Sequence, residues 1–441
     1  MKNYKEEFLK SPKKAFFVLS LPIIVSMLVQ TLYNLVDTAW VGRLGSESIA
    51  ALTYSFPLFF LLIAFNSGIA VGMGSRISRM LGADKREDAE RTAMHGLILS
   101  FFISLLLSIL GFFSLKQFFL IFGATASVLS LAMKYMSIIL TGSVFMSLSF
   151  TMNSIFTAQG DTRTPMKIQI FSLIFNAILD PFFIYTLNLG VAGAAIATII
   201  AFFISFVTFA YFLKTSSAIR LNIRSFKYSS IIAKDIIYVG VPASIMMILM
   251  SIYVAFINRF MSHFGTDYVA SFGLASRLES LAIMPVVAAS IAIVTLIGML
   301  YGARRHDLLK EISFYSIKIS VLFTLFVGAL FFLAPTLFLR IFTSDKIILA
   351  ISAKYLRIDV FTFPLMAVSI MISRIAQGMG DGTPGLIINI VRIILVAVPL
   401  AYLFVFVLGY GYLSIAVAMV LGGVASNIVA FLWLTRRLKQ I

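Results

Sequence analysis

Twelve apolar stretches follow one another along this chain, separated by short polar breaks, near residues 15–41, 48–73, 93–115, 127–157, 167–187, 191–213, 238–262, 270–300, 314–335, 348–375, 386–407 and 412–434. A helix needs about 20 consecutive apolar residues to cross a hydrocarbon layer, and each stretch is long enough or nearly so. Of the 441 residues, 60% are hydrophobic and 12% charged, whereas a soluble domain carries roughly 25% charged residues. Too little polar surface remains to cover a globule in water. The chain therefore reads as an all-α polytopic membrane protein with twelve transmembrane helices. Its charged first residues run into an apolar stretch too long for the core of a signal peptide, so the first span is read as a retained helix.

The formal charge is +17. The basic residues are dispersed over short loops rather than gathered on one face, which excludes a nucleic-acid partner as their reason and points to the positive-inside rule. Lys2, Lys5, Lys10, Lys13 and Lys14 fall on one side, with Arg76, Arg79, Lys85, Arg86, Arg91, Arg163 and Lys167. The same side takes Lys214, Arg220, Arg224, Lys227, Lys234, Arg304, Arg305, Lys310, Arg436, Arg437 and Lys439. The opposite loops hold Arg43, Lys116, Arg340 and Lys346. That asymmetry, with an even number of spans, predicts a multi-pass protein of the inner or plasma membrane with both termini in the cytoplasm. There is no cysteine, so disulfides and Cys-ligated metals are excluded. His95, His263 and His306 lack metalloprotease spacing and read as ordinary loop or helix-end residues.

The sequence also repeats itself at an offset of about 220 residues. Pro22 falls on Pro242, Gly45 on Gly265, Gly82-Ala83 on Gly302-Ala303 and Lys134-Tyr135 on Lys354-Tyr355. Ala158-Gln159-Gly160 meets Ala376-Gln377-Gly378, and Leu189-Gly190 meets Leu408-Gly409. The predicted organisation is an N-terminal lobe at 1–213 with spans 1–6, a cytoplasmic linker at 214–237, and a C-terminal lobe at 238–441 with spans 7–12. Six spans per half give the repeats the same orientation, related by an axis along the membrane normal.

Charge inside hydrocarbon is costly and calls for a partner or a task. On span 1, Gln30, Asn34 and Asp37 recur at i, i+4, i+7, which is one helix face, with Thr38 beside them. On span 5, Ser172, Asn176 and Asp180 recur at i, i+4, i+8. Asn153 on span 4 and Thr198 on span 6 complete a ring of amide and hydroxyl groups. The second half repeats the architecture and drops this face: Asp37 corresponds to Ile257, Asn176 to Leu395 and Thr198 to Val417. Amide and hydroxyl groups alone are explained by interhelical hydrogen bonds. Two carboxylates on one-sided stripes in one half only point to a specialised site. Two such groups in a medium of low dielectric would take up a proton, and the same oxygen donors satisfy Na⁺; the residues leave that choice open.

The second half has its own charges: Arg277, Glu279, Arg357, Asp359, Arg374 and Arg392. Arg277 and Glu279 do not share a helix face, so pairing is expected across helices, as structural ion pairs or gate contacts. Arg374 and Arg392 are read as snorkelling from span ends. Pro22 removes a backbone donor inside span 1 and is a candidate hinge. Gly68 and Gly72 have the spacing of a close helix crossing. The 43 Phe and 20 Met residues supply stacking and thioether surfaces for flat apolar cations wherever they face a cavity.

Together, Leu32-Tyr33-Asn34-Leu35-Val36-Asp37-Thr38, Ala158-Gln159-Gly160-Asp161-Thr162-Arg163-Thr164-Pro165-Met166, the NAILDP run at 176–181 and the GVAGAAIAT run at 190–198 resemble the multidrug and toxic compound extrusion (MATE) family. The likeness is strongest to a prokaryotic branch related to the DNA-damage-inducible subgroup. The resemblance implies a V-shaped pair of six-helix lobes exporting organic cations, drugs and dyes in exchange for H⁺ or Na⁺. It implies a coupling network of Asp37, Asp180, Asn176, Thr198 and Asn153, with Na⁺ as an alternative ligand of the first four. Substrate contacts are implied at Asp37, Tyr135, Asn153, Asn176, Gln30 and Asn34, and bending of span 1 at Pro22. Another branch binds its cation through acidic residues on spans 7 and 10. Span 7 here has no Asp or Glu between Ile245 and Phe260, which departs from that pattern, although Asp359 and Glu279 keep such a site open.

The reading is a secondary active antiporter working by alternating access, not an enzyme, with no cofactor or nucleotide motif and only H⁺ or Na⁺ as coupling ion. Its expected partners are small-molecule substrates and membrane lipids, in a monomer. The alternative is a flippase for a lipid-linked or polyisoprenoid substrate, for which Arg259, Arg277, Arg357 and Arg374 would have to line the cavity. A receptor or channel finds no matching motif.

Overall fold

The computed structural model describes residues 4–221 and 226–441. Lys2, Arg224 and the side chain of Lys5, all counted for orientation, lie outside the described residues, as does 222–225 of the linker. The chain is helical from end to end of these segments. A short α1 (Tyr4–Lys10) precedes α2 (Pro12–Gly42), α3 (Ser46–Gly82), α4 (Arg86–Ile121), α5 (Ala126–Ala158), α6 (Arg163–Pro181) and α7 (Val191–Thr215). The second half brings α8 (Ser230–Ser262), α9 (Thr266–Gly302), α10 (His306–Leu333), the single turn α11 (Pro335–Leu339), α12 (Lys346–Asp359) and α13 (Thr362–Met379). It closes with α14 (Thr383–Ile390), α15 (Val398–Tyr402) and α16 (Leu413–Lys439).

Among the described residues, 11 helices are long and apolar enough to cross a membrane; the bent pair α12–α13, at 50°, brings the number to 12. The lipid-facing surface is what such a protein needs. On α4, Phe102, Leu106, Ile109 and Phe113 form one stripe at 61%, 56%, 47% and 78% exposure, an apolar face that water would not tolerate and acyl chains match. Several helices outrun the sequence-based spans. α3 continues to Gly82 and α4 starts at Arg86, because charged residues at a span end extend a helix into the headgroup region without breaking its hydrogen-bond ladder. For the same reason α8 starts at Ser230, inside the segment 214–237 read as linker.

The internal repeat is visible in the backbone. Left-handed conformations recur in step: Gly45 and Gly265 (φ 105° and 124°), Asp84 and Arg304 (59° and 55°), Gly160 and Gly380 (90° and 93°), Gly190 and Gly409 (57° and 67°). Gly160 and Gly380 end equivalent helices, where a Cβ would be strained. Spans 5 and 11 also end alike, in π-helical turns at Phe182–Thr186 and Leu403–Val407.

Two compact units emerge, and they do not follow a cut at the linker. Unit 1 is residues 1–7 and 21–244; unit 2 is residues 8–20 and 245–441. The first turns of α2 thus pack with the second unit, and the first turns of α8 with the first. The exchange points lie beside Pro22 and Pro242, each inside a continuous helix. Within unit 1, the spacing of Gly68 and Gly72 serves this arrangement. A Cβ on Gly72 would run into the Ile236 carbonyl and one on Gly68 into Ser244 and the Gly240 carbonyl, so only glycine lets α3 and α8 cross so closely. Asp235 pairs with Arg76, and with Arg79 at 3.7 Å.

Candidate functional site

Unit 1 contains a cavity of about 800 Å³. α2 contributes Gln30, Asn34, Asp37 and Thr38 to its lining, the single polar face expected from their spacing. Asn153 of α5 and Ser172 of α6 line it too, as does Tyr135. The remaining wall is largely apolar, with an aromatic share from Phe56, Phe59, Phe150, Phe202 and Phe209. Among the described residues, no lysine or arginine lines it.

Asp180 sits behind this wall, 0% exposed, with Asn176 beside it at 2%. Its carboxyl lies within hydrogen-bonding reach of that of Asp37, so the faces of α2 and α6 do meet. Asn176 Nδ2 donates to Asp180 Oδ1 at 3.3 Å. Asp37 Oδ1 and Asp180 Oδ2 are buried with no donor among the described residues. Two facing carboxyls, each with a buried oxygen that no donor meets, need a proton or a cation between them. Among the described residues, no three His, Cys, Asp or Glu side chains gather as a metal cluster would. The charge present suits a proton or a monovalent cation.

Hydroxyls frame the pair. Thr198 Oγ1 donates to the Ala194 carbonyl at 2.9 Å, which leaves its lone pairs to accept. It faces the phenol of Tyr33. Tyr135 faces both carboxyls. Asn153 lies farther along the cavity and accepts from Thr157 Oγ1 at 3.3 Å, so it lines the chamber rather than joining the carboxyl pair. At the other end, Gln169 Nε2 donates to Gln30 Oε1 at 3.3 Å and Gln30 Nε2 to Asn34 Oδ1 at 3.1 Å. Tyr33 and Gln169 escaped the sequence reading. Gln169 continues the stripe of Ser172, Asn176 and Asp180 one turn earlier, and Tyr33 precedes Asp37 by four residues, so helical spacing alone was signal enough. Pro22 lies in the buried part of α2, where Ser26 Oγ donates to its carbonyl at 3.0 Å and the helix runs on without a break.

Unit 2 holds a different acidic cluster. Asp359 (1% exposed) and Glu279 face each other electrostatically, with Tyr253 and Tyr355 against them. Thr362 Oγ1 donates to the Asp359 carbonyl at 2.7 Å. Here a fixed cation is supplied: Arg392 faces Glu279 and Tyr253. Arg392 is 9% exposed with Nη2 at 2.8 Å from Met250 Sδ, so it does not snorkel; the helices around it hold it in the core. Arg277 is exposed instead of pairing with Glu279, because two residues of separation put them on different faces. Arg259 and Arg357 are exposed as well, while Arg374 donates to Gln377 Oε1 at 3.0 Å. His95, read as ordinary, is buried, accepting at Nε2 from the Ser229 amide at 2.8 Å.

A bundle of membrane-crossing helices, built twice, with an acidic chamber in one half, defines a multi-pass membrane transporter rather than an enzyme. The MatE family model matches residues 22–182 and again 242–403, starting at the two equivalent prolines. The chain belongs to the MatE family. It is 26% identical over 388 residues to the multidrug export protein MepA of Staphylococcus aureus (strain NCTC 8325 / PS 47), covering 87% of this chain and 86% of that one. An FAD transporter of Shewanella oneidensis (strain MR-1) is 26% identical over 393 residues, with coverage of 87% and 86%. Among solved structures, a MATE in the bent conformation superposes with a TM-score of 0.93 at 34% identity, covering 97% of this chain and 96% of that one.

Proposed function

We propose that this transporter is a multidrug exporter driven by H⁺ or Na⁺, with the Asp37–Asp180 pair as the site of the exchanged cation. The observation that carries the proposal is the facing pair of carboxyls, edged by the cavity and lacking any fixed positive charge. When the pair holds a proton or Na⁺ its charge is reduced; when it is empty the chamber is more negative and favours an organic cation. Asn176 and Thr198 are the remaining oxygen donors for Na⁺. Exchange then follows from competition for one negative charge, and the aromatic share of the wall supplies stacking and cation–π surface for amphipathic cargo. Alternation of the two units about the prolines of α2 and α8 would expose the chamber to each side in turn, with both termini on the cytoplasmic side. The repeat gives that motion its two bodies.

An anionic cargo, of the kind a flippase would move, finds no lysine or arginine in this chamber among the described residues. The kinship with MepA supports the multidrug reading. In proteoliposomes loaded with a fluorescent organic cation, an imposed proton or sodium gradient should drive its export. Asp37→Asn should abolish the gradient-driven component. Undiminished gradient-driven export in that variant would sink the assignment.

A further inference from the structure

The outer surface of unit 2 carries a shallow groove of about 620 Å³. Its floor is Pro364, Leu365 and Val368 of α13; its walls are Val321 of α10 and the Ile428 and Leu432 face of α16. The floor is set by a close approach of α13 and α16, where a Cβ on Gly423 would press on Leu365. The one amide in the lining, Asn427, accepts from Ser369 Oγ at 2.6 Å and so is satisfied inside the bundle. What faces outward is apolar, with Ile428 and Leu432 at 57% and 52% exposure. From Val424 to Thr435 the lining runs about 16 Å along α16, the direction an acyl chain takes in its leaflet.

Positive charge stands at one end. Lys318 lies one turn before Val321 on α10, exposed amid apolar residues and with no acidic partner within ion-pair distance among the described residues. On α16 the lining positions Ile428, Leu432 and Thr435 continue at the same helical spacing onto Lys439, with Arg436 adjacent. α10 starts and α16 ends on the membrane side that holds the chain termini; Lys439 is the last residue of α16, and Lys318 lies twelve residues, about 18 Å, into α10. A lysine stem can lie along the groove while its ammonium rises toward the headgroup layer.

We propose that this groove is a specific site for an anionic phospholipid, one acyl chain lying on α13 and the phosphate held between Lys318 and Lys439. Charge complementarity at one end and a continuous apolar channel from it select this occupant over a zwitterionic lipid. The site lies within unit 2 and does not depend on the carboxyl pair of unit 1. The test is native mass spectrometry of the full chain released from micelles containing equal amounts of phosphatidylglycerol and phosphatidylcholine. One phosphatidylglycerol should be retained in preference. Lys318→Gln and Lys439→Gln should each weaken retention about fivefold, and Ile428→Trp should displace the lipid with both charges intact. Lys85→Gln, the same charge change on unit 1, should leave retention as it was, and all four variants keep exposed positions exposed. Equal retention of the two lipids, or a preference that survives the Lys318, Lys439 and Ile428 variants or falls as far with Lys85→Gln, would overturn the proposal.

Discussion

The two units bury acidic residues in equivalent helical frames and satisfy them in opposite ways. In unit 1, Asp37 and Asp180 face each other beside a chamber with only amide and hydroxyl neighbours. In unit 2, Glu279 and Asp359 lie near Arg392, with Met250 and the tyrosines packed around them. At the position matching Asp37, unit 2 has Ile257, fully buried. A guanidinium tethered to the chain offsets the charge of Glu279 permanently, whereas Asp37 and Asp180 have no such group beside them among the described residues and, on the proposed reading, depend on an ion from outside. Duplication supplied two frames; the proposal makes one of them the site of exchange, while the other carries its own cation in the core.

That contrast can be broken by mutation. The largest effect is expected from Asp180→Asn, which removes half of the pair: gradient-driven export should fall at least a hundredfold in vesicles, while the protein remains folded, since an amide tolerates burial better than a charge. Next comes Arg392→Gln in unit 2. It leaves Glu279 without its facing cation and removes the contact with Met250, at a cost of about 1–3 kcal/mol, seen as a drop in thermal unfolding midpoint; any protein that still folds should keep its dependence on the ion gradient. Gly72→Leu should destabilise by about 1–3 kcal/mol or more, since the side chain must part α3 from α8, and detergent stability assays would register it. The smallest change belongs to Tyr33→Phe. Loss of the phenol hydroxyl that faces Thr198 and the carboxyl pair costs about 1 kcal/mol, and export should shift severalfold in its ion dependence without loss of maximal rate.

Much of this architecture was legible in the sequence because glycine and proline mark backbone geometry that other residues cannot supply. The recurrence of Gly45 and Gly265 announced the repeat, and their matching φ angles show why it had to be glycine. The polar stripes of α2 and α6 were legible because a charge in hydrocarbon has few explanations. The aromatic share of the wall was not: Phe150 in the chamber and Phe102 on the lipid face obey the same hydrophobic pattern, and only packing separates them. Nor did hydropathy give Arg392 as the cation facing Glu279, since the approach of side chains from two different helices is set by packing rather than by spacing along one helix. The assignment of residues 8–20 to unit 2 was hidden for a similar reason, because a continuous helix carries no sequence mark where its neighbours change.

Counting what leaves the purified protein when cargo arrives tests the claim most directly. Calorimetric titration with an organic cation, repeated in buffers of different ionisation enthalpy and with and without Na⁺, reports the protons or sodium ions displaced per cargo bound. Displacement should be present in the natural protein and in Asp359→Asn, and absent in Asp37→Asn. Release that persists without Asp37, or vanishes with Asp359, would place the exchanged ion in the other unit.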